Sequence, residues 1–163
     1  MLKTLPSLEK IFPVFLNFSG FLGTIVSIVI LKWFGRKGAL VYGGIAIGLF
    51  LFIIGYDFSI FDLDNVESNP TWSKLLFPFM LICIRITFSL TLGPVVWLYI
   101  TEIVQPNIVP ISIFLNWLTV SLVNTFFPIF THIFGGNPSK IFYFFGLYLF
   151  IGTALNKWML VET

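Results

Sequence analysis

The sequence predicts an all-α, polytopic membrane helix bundle of about five transmembrane helices, forming one transmembrane domain over residues 1–163. Three observations predict it. The chain is 58% hydrophobic and 19% aromatic with only 10% charged residues, and its mean hydropathy is +1.00. A soluble domain carries roughly a quarter charged residues, so lipid is the expected solvent here. The apolar residues fall in runs of spanning length, and a bilayer core offers nothing to unpaired backbone groups, so such runs must be helices. Short polar or turn-forming segments separate the runs.

The first run covers about 12–33 and ends at Lys32-Trp33-Phe34-Gly35-Arg36-Lys37. Residues 1–10 carry Lys3 and Lys10, but the apolar run behind them has spanning length rather than the short core of a cleavable signal. The second run, about 38–56, holds Gly43, Gly44, Gly48 and Gly55, small residues of the kind that let membrane helices approach closely. Residues 57–73, with Asp57, Asp62, Asp64 and Glu67, form the long polar loop. Runs three, four and five cover about 74–102, 109–132 and 141–159, joined by the turns Gln105–Pro110 and Gly135–Ser139.

Alternation fixes sidedness. The odd-numbered helices run the same way, so Arg36, Lys37, Glu102, Lys157 and Glu162 share one face and the acidic loop lies opposite. Lys and Arg divide evenly between the faces, so the positive-inside rule does not orient the bundle. Trp33 and Trp158 on one side and Trp72 on the other suit interfacial belts, which mark depth but not direction.

Several residues invite chemistry. Gly93 and Pro94 interrupt the third helix, since proline removes a backbone hydrogen bond and clashes with the preceding turn. Two readings stand: a packing kink, or a hinge lining a cavity, where transporters place broken helices. Trp97 reads as an interfacial ring or as a cavity-facing aromatic surface. Asn116 reads as a helix–helix hydrogen-bonding group or as an amide facing a cavity. Arg85 falls near the middle of the third helix, where a charge costs at least about 2.5–3.5 kcal/mol, so it should face the bundle or water. His132 reads as interfacial, and the sequon Asn17-Phe18-Ser19 lies inside the first helix, where it should stay unmodified. Lone Cys83 forms no internal disulfide, and a net charge of +2 argues for no nucleic-acid partner. No catalytic set, metal cluster or phosphate loop is visible, so no enzyme activity, cofactor or metal is expected.

Two stretches resemble the sugar porter family of the major facilitator superfamily, the glucose and hexose transporters. Trp33-Phe34-Gly35-Arg36-Lys37 resembles the family's Gly-Arg-Arg/Lys turn between helices eight and nine. Gly93-Pro94-Val95-Val96-Trp97-Leu98-Tyr99-Ile100-Thr101-Glu102-Ile103 resembles the Gly-Pro-x-x-Trp…Ser/Ala-Glu-Ile signature of helix ten. Asn116-Trp117 follows where helix eleven often has Asn-Trp, and Val161-Glu162-Thr163 is similar to the start of the family's Pro-Glu-Thr-Lys-Gly tail. The pattern departs at Val96 and Val161, each standing for proline, at Val120, and at the short uncharged turn 105–110.

The resemblance implies that the chain is the C-terminal part of that fold, helices eight to twelve, with helices one to seven absent. It implies a sugar (hexose-type) substrate near the bilayer midplane and alternating access. Trp97 and Asn116 would contact the substrate, and Gly93-Pro94 would act as the helix-ten hinge. Cytoplasmic gate ion pairs would form among Arg36, Lys37, Glu102 and Glu162. The implied partners are the lipid bilayer, a plasma membrane, and the missing N-terminal transporter half. The five helices alone are not expected to transport. Two alternatives stay open: a transporter of a non-sugar solute such as a polyol or organic acid, and a small membrane protein that only packs against partner helices.

Overall fold

In a computed structural model, residues 6–60, 70–133, 136 and 138–159 are described, all but a few turn residues in helices. The helices are α1 (Pro6–Ile60), α2 (Thr71–Leu90), α3 (Leu92–Ile103), α4 (Val109–Ile133) and α5 (Ser139–Met159). The tail Val161-Glu162-Thr163, residues 61–69 of the polar loop and most of the turn at 134–137 lie outside the described residues.

Helix α1 is two limbs rather than one rod. Gly35 interrupts it with φ 66° and ψ 174°. That is a backbone state an L side chain adopts only with strain and glycine takes freely. The chain therefore reverses at the Gly35-Arg36-Lys37 turn. Contacts along the two limbs establish the reversal. Going up the first limb, Gly20 meets Arg85 and Gly23 meets Ser89, so the first limb runs parallel to α2. On the second limb, Gly43 meets Thr91 while Phe58 meets Phe77, so that limb runs antiparallel to α2. Helix α5 returns alongside it: Gly44 faces Thr153, Gly48 faces Phe150 and Gly55 faces Tyr143.

Helices α2 and α3 are one span with a break in it. Residues Trp72–Ile103 form a 32-residue apolar stretch. At 1.5 Å per residue that is about 48 Å of helix against a core of about 30 Å. The break falls at Thr91 (φ −125°, ψ −79°), three residues before Pro94. Proline lacks an N–H for the carbonyl four residues back and its ring collides with it; that carbonyl belongs to Leu90. The irregular residue therefore appears just after Leu90 and not at Pro94, which sits in the first turn of α3, where an amide would be unpaired anyway. Thr91 steadies the break by donating its hydroxyl to Thr87 O at 2.6 Å.

Among the described residues, three stretches are long and apolar enough to cross a membrane: Ile11–Ile60, Trp72–Ile103 and Val109–Ile133. The first, at 50 residues and folded back at Gly35, is long enough for two crossings. Helix boundaries differ from the sequence expectation at the far end of α1. The helix continues through Asp57 to Ile60, four residues into the stretch expected as loop, and α2 begins at Thr71. A buried hydrogen bond from Ser73 Oγ to Asp57 Oδ1 (2.5 Å) holds these two ends together, which keeps Asp57 inside helical structure.

The buried core is small. Ala39, Leu40 and fully buried Val95 form one cluster of it, with Leu31 and Leu92 packed against them, and Ile47, Ile54, Phe58 and Ile141 are buried along the second limb and α5. Large apolar side chains are exposed along every helix, as expected where lipid tails are as apolar as leucine. Cohesion comes instead from close approach at glycines and from aromatic contacts. Phe58 stacks on Phe142 at 5.6 Å, and Phe77 packs edge-on to Phe58 at 5.3 Å. Helix α4 has no buried residue and borders the rest of the bundle loosely.

Candidate functional site

The turn between the two limbs of α1 and the last turn of α3 meet at one end of the bundle. There the Arg36 guanidinium pairs with the Glu102 carboxylate. Their side chains are 34% and 38% exposed, so the pair sits at a wet boundary rather than in a dry core. The Ala39–Leu40–Val95 cluster lies beneath it: Val95 is seven residues before Glu102, about 10 Å along the helix. Apolar packing thus closes the space directly under the ion pair.

Lys37, although adjacent to Arg36, makes no ion pair among the described residues. It lines a groove between the second limb of α1 and α5, together with Lys157. Glu162 lies outside the described residues. The highly exposed Trp33 and Trp158 belong to this same end of the bundle, and Trp72, also exposed, to the opposite end.

Gly93 and Pro94 follow the Thr91 break. A Cβ on Gly93 would come 3.2 Å from Phe88 O, so glycine lets the carbonyl of the last α2 turn fold over the start of α3. Trp97 stands one turn further along α3 and is 37% exposed. Asn116 and its neighbour Trp117 stand on exposed faces of α4. Neither the Trp97 nor the Asn116 side chain makes a hydrogen bond or ring contact among the described residues. Neither lines the cavity that lies between α1, α2, α4 and α5, which Leu92 at the start of α3 also borders.

That cavity has a volume of about 810 Å³ and is walled by apolar side chains, among them Leu16, Ile84, Phe127 and Leu149, with Arg85 set into the wall. The Arg85 side chain lies over Gly20, whose missing Cβ would otherwise come 2.7 Å from Nε. Arg85 therefore faces a cavity and the neighbouring limb of α1, and among the described residues it has no carboxylate partner. His132 is exposed at the end of α4. The Asn17 side chain is occupied within its own helix, donating to Pro13 O at 3.0 Å.

The Asp57–Ser73 clip at the other end was not foreseen from the sequence. Asp57 is only 2% exposed, and its Oδ2 has no hydrogen-bond partner among the described residues. Its place at the polar end of an apolar run, Tyr56-Asp57-Phe58-Ser59, reads equally well as the start of a loop. The signal that distinguishes the two is a donor sixteen residues away, which no local pattern reveals.

Residues 9–163 match the family model described as sugar (and other) transporter. A curated relative, the facilitated trehalose transporter Tret1 of Drosophila willistoni, is 28% identical over 137 residues. The matched region covers 81% of this chain but only 15% of that relative's length. No solved structure matches.

Proposed function

Because the chain belongs to the sugar (and other) transporter family, we propose that residues 1–163 form one wall of an alternating-access path for a hexose-type sugar. Family membership points to a transporter rather than an enzyme, and its apolar helices make it an integral membrane protein. The proposal places these helices as the C-terminal part of the transporter, in the plasma membrane, with the opposite wall supplied by helices beyond this stretch. The small share of the Drosophila relative that is matched supports a partial wall. A single wall has nothing to alternate against, so transport requires the second.

The observation that carries the reading is the Arg36–Glu102 pair standing over the Val95 cluster, on the same span as the Thr91 break. A pair joining the α1 turn to the α3 end stabilises the arrangement in which these helix ends are together. Separating the ends exposes the packed cluster beneath. The break at Thr91, with Gly93 and Pro94, lets α3 move relative to α2 without disrupting a continuous hydrogen-bond ladder. Trp97 offers an apolar indole face for a sugar ring and Asn116 an amide for its hydroxyls. Asn116 is exposed on α4 and Trp97 is 37% exposed on α3, which leaves both open to a covering helix.

The test is uptake of labelled hexose by vesicles carrying this chain together with the N-terminal half of a hexose transporter. Hexoses, trehalose, polyols and organic acids serve as competitors. Competition by hexoses, and a tenfold or greater loss on Trp97→Ala with the helix content retained, is the expected result. Competition by polyols or organic acids alone would transfer the substrate assignment to them. Absence of uptake for every solute would overturn the transport reading.

A further inference from the structure

We infer that the groove between the second limb of α1 and α5 is a binding site for an anionic phospholipid of the adjacent leaflet. The groove has a volume of about 490 Å³. Lys37 on α1 and Lys157 on α5 both line it, and neither has an ion-pair partner among the described residues. The remaining wall is almost wholly apolar, including Tyr42, Ile45, Phe150 and Ala154. The charged and apolar parts are segregated. Lys37 opens the second limb just after the Gly35 turn and Lys157 falls in the last turn of α5, so both cations sit at one end. From Lys37 the apolar stripe runs inward to Ile45, eight residues or about 12 Å along the helix.

Depth selects the occupant. Trp158, next to Lys157, is 84% exposed, and Trp33, just before the Gly35 turn, is 83% exposed. Exposed indoles of this kind mark the level of the lipid headgroups. Two ammonium groups lining one groove at that level repel each other unless an anion lies between them. A phospholipid supplies the phosphate at that depth and an acyl chain for the apolar stripe below. Basic pockets between transmembrane helices take anionic headgroups in this way. The groove is held open by close packing beneath it, where Gly44 lies against Thr153 and Gly48 against Phe150. The residues that line it belong to α1 and α5, whereas Trp97 lies on α3 and Asn116 on α4.

The inference is tested on the reconstituted chain by tryptophan quenching with brominated phosphatidylglycerol in phosphatidylcholine vesicles, and with brominated phosphatidylcholine as reference. One class of site should favour phosphatidylglycerol by about fivefold per lysine, or roughly 25-fold for the pair. Lys37→Gln/Lys157→Gln should bring that preference close to one, and Lys37→Arg/Lys157→Arg should keep it. Ala154→Phe should reduce binding with both lysines present, because it fills the channel for the tail. It decides the matter if the double glutamine variant loses its helix content. Glycerol 1-phosphate at millimolar concentration should not displace the lipid. Equal affinity for the two lipids, or a preference untouched by the glutamine and phenylalanine variants, would overturn the inference. Displacement by glycerol 1-phosphate with Ala154→Phe neutral would also overturn it, by showing a free-phosphate site.

Discussion

Gly43→Ala is the most exacting perturbation the packing allows. A Cβ at position 43 would lie 2.5 Å from Thr91 Cβ, 3.1 Å from Thr91 Cγ2, and closer still to Thr91 Oγ1. None of these atoms is the far end of a flexible chain. Thr91 Cβ is fixed to the backbone at the α2–α3 break, and its hydroxyl is held by Thr87 O. The limb and α2 must therefore move apart by about an ångström, which opens the contact that membrane helices rely on. Overpacking of this kind costs about 1–3 kcal/mol. Alanine in a helix regains up to about 1 kcal/mol of that through propensity, leaving a net loss of about 0–2 kcal/mol, and about 1–3 kcal/mol relative to a control with the same propensity gain. Gly152→Ala is the matched control, since nothing lies within 4 Å of its Cβ; it should be neutral or slightly stabilising. The assay is unfolding of purified chain in mixed micelles with rising dodecyl sulfate, followed by circular dichroism and tryptophan fluorescence. If Gly43→Ala matches Gly152→Ala, the close approach of the second limb to Thr91 is wrong, and with it the antiparallel placement of that limb.

Two further predictions use the same unfolding measurement. In a double-mutant cycle with Arg36→Gln and Glu102→Gln, the coupling should be about 0–1 kcal/mol, because both side chains are more than a third exposed. A coupling above about 2 kcal/mol would place the pair in a far drier setting than the structure gives. Ser73→Ala should destabilise by about 1–3 kcal/mol, since it removes the donor to a buried carboxylate, whereas Ser73→Thr, which keeps the hydroxyl, should cost less. A neutral Ser73→Ala would remove the Asp57 clip from the account.

Much of this architecture is legible in the residues because the bilayer simplifies the problem. Long apolar runs can only be helices, so the all-helical fold, the reversal at Gly35 and the shared end of Arg36 and Glu102 follow from run length and alternation, while α5, expected as a fifth span, is not among the stretches long and apolar enough to cross. What escapes is decided by distant partners. Asp57 looks like the first residue of a loop, yet Ser73 draws it into the bundle. The break in the third span is signalled by Pro94 but emerges at Thr91, because the conflict lies with the carbonyl of Leu90. Lys37 reads as part of the same charge cluster as Arg36. Successive helical residues point about 100° apart, which turns Lys37 toward α5 and leaves Arg36 to meet Glu102. Arg85 announces itself as a costly charge, but only the packing reveals that Gly20 makes room for it.

Sidedness tests the central claim most directly. Cysteines introduced singly at Lys37, Ile103 and Ser59, in a chain with Cys83 replaced by alanine, leave the Arg36–Glu102 pair intact. Sealed vesicles with the protein in one orientation are treated with a membrane-impermeant maleimide before and after lysis. Positions 37 and 103 should react together from one side, and position 59 from the other. Reaction of 37 and 103 from opposite sides would contradict the meeting of the α1 turn with the α3 end, and the closure built on it.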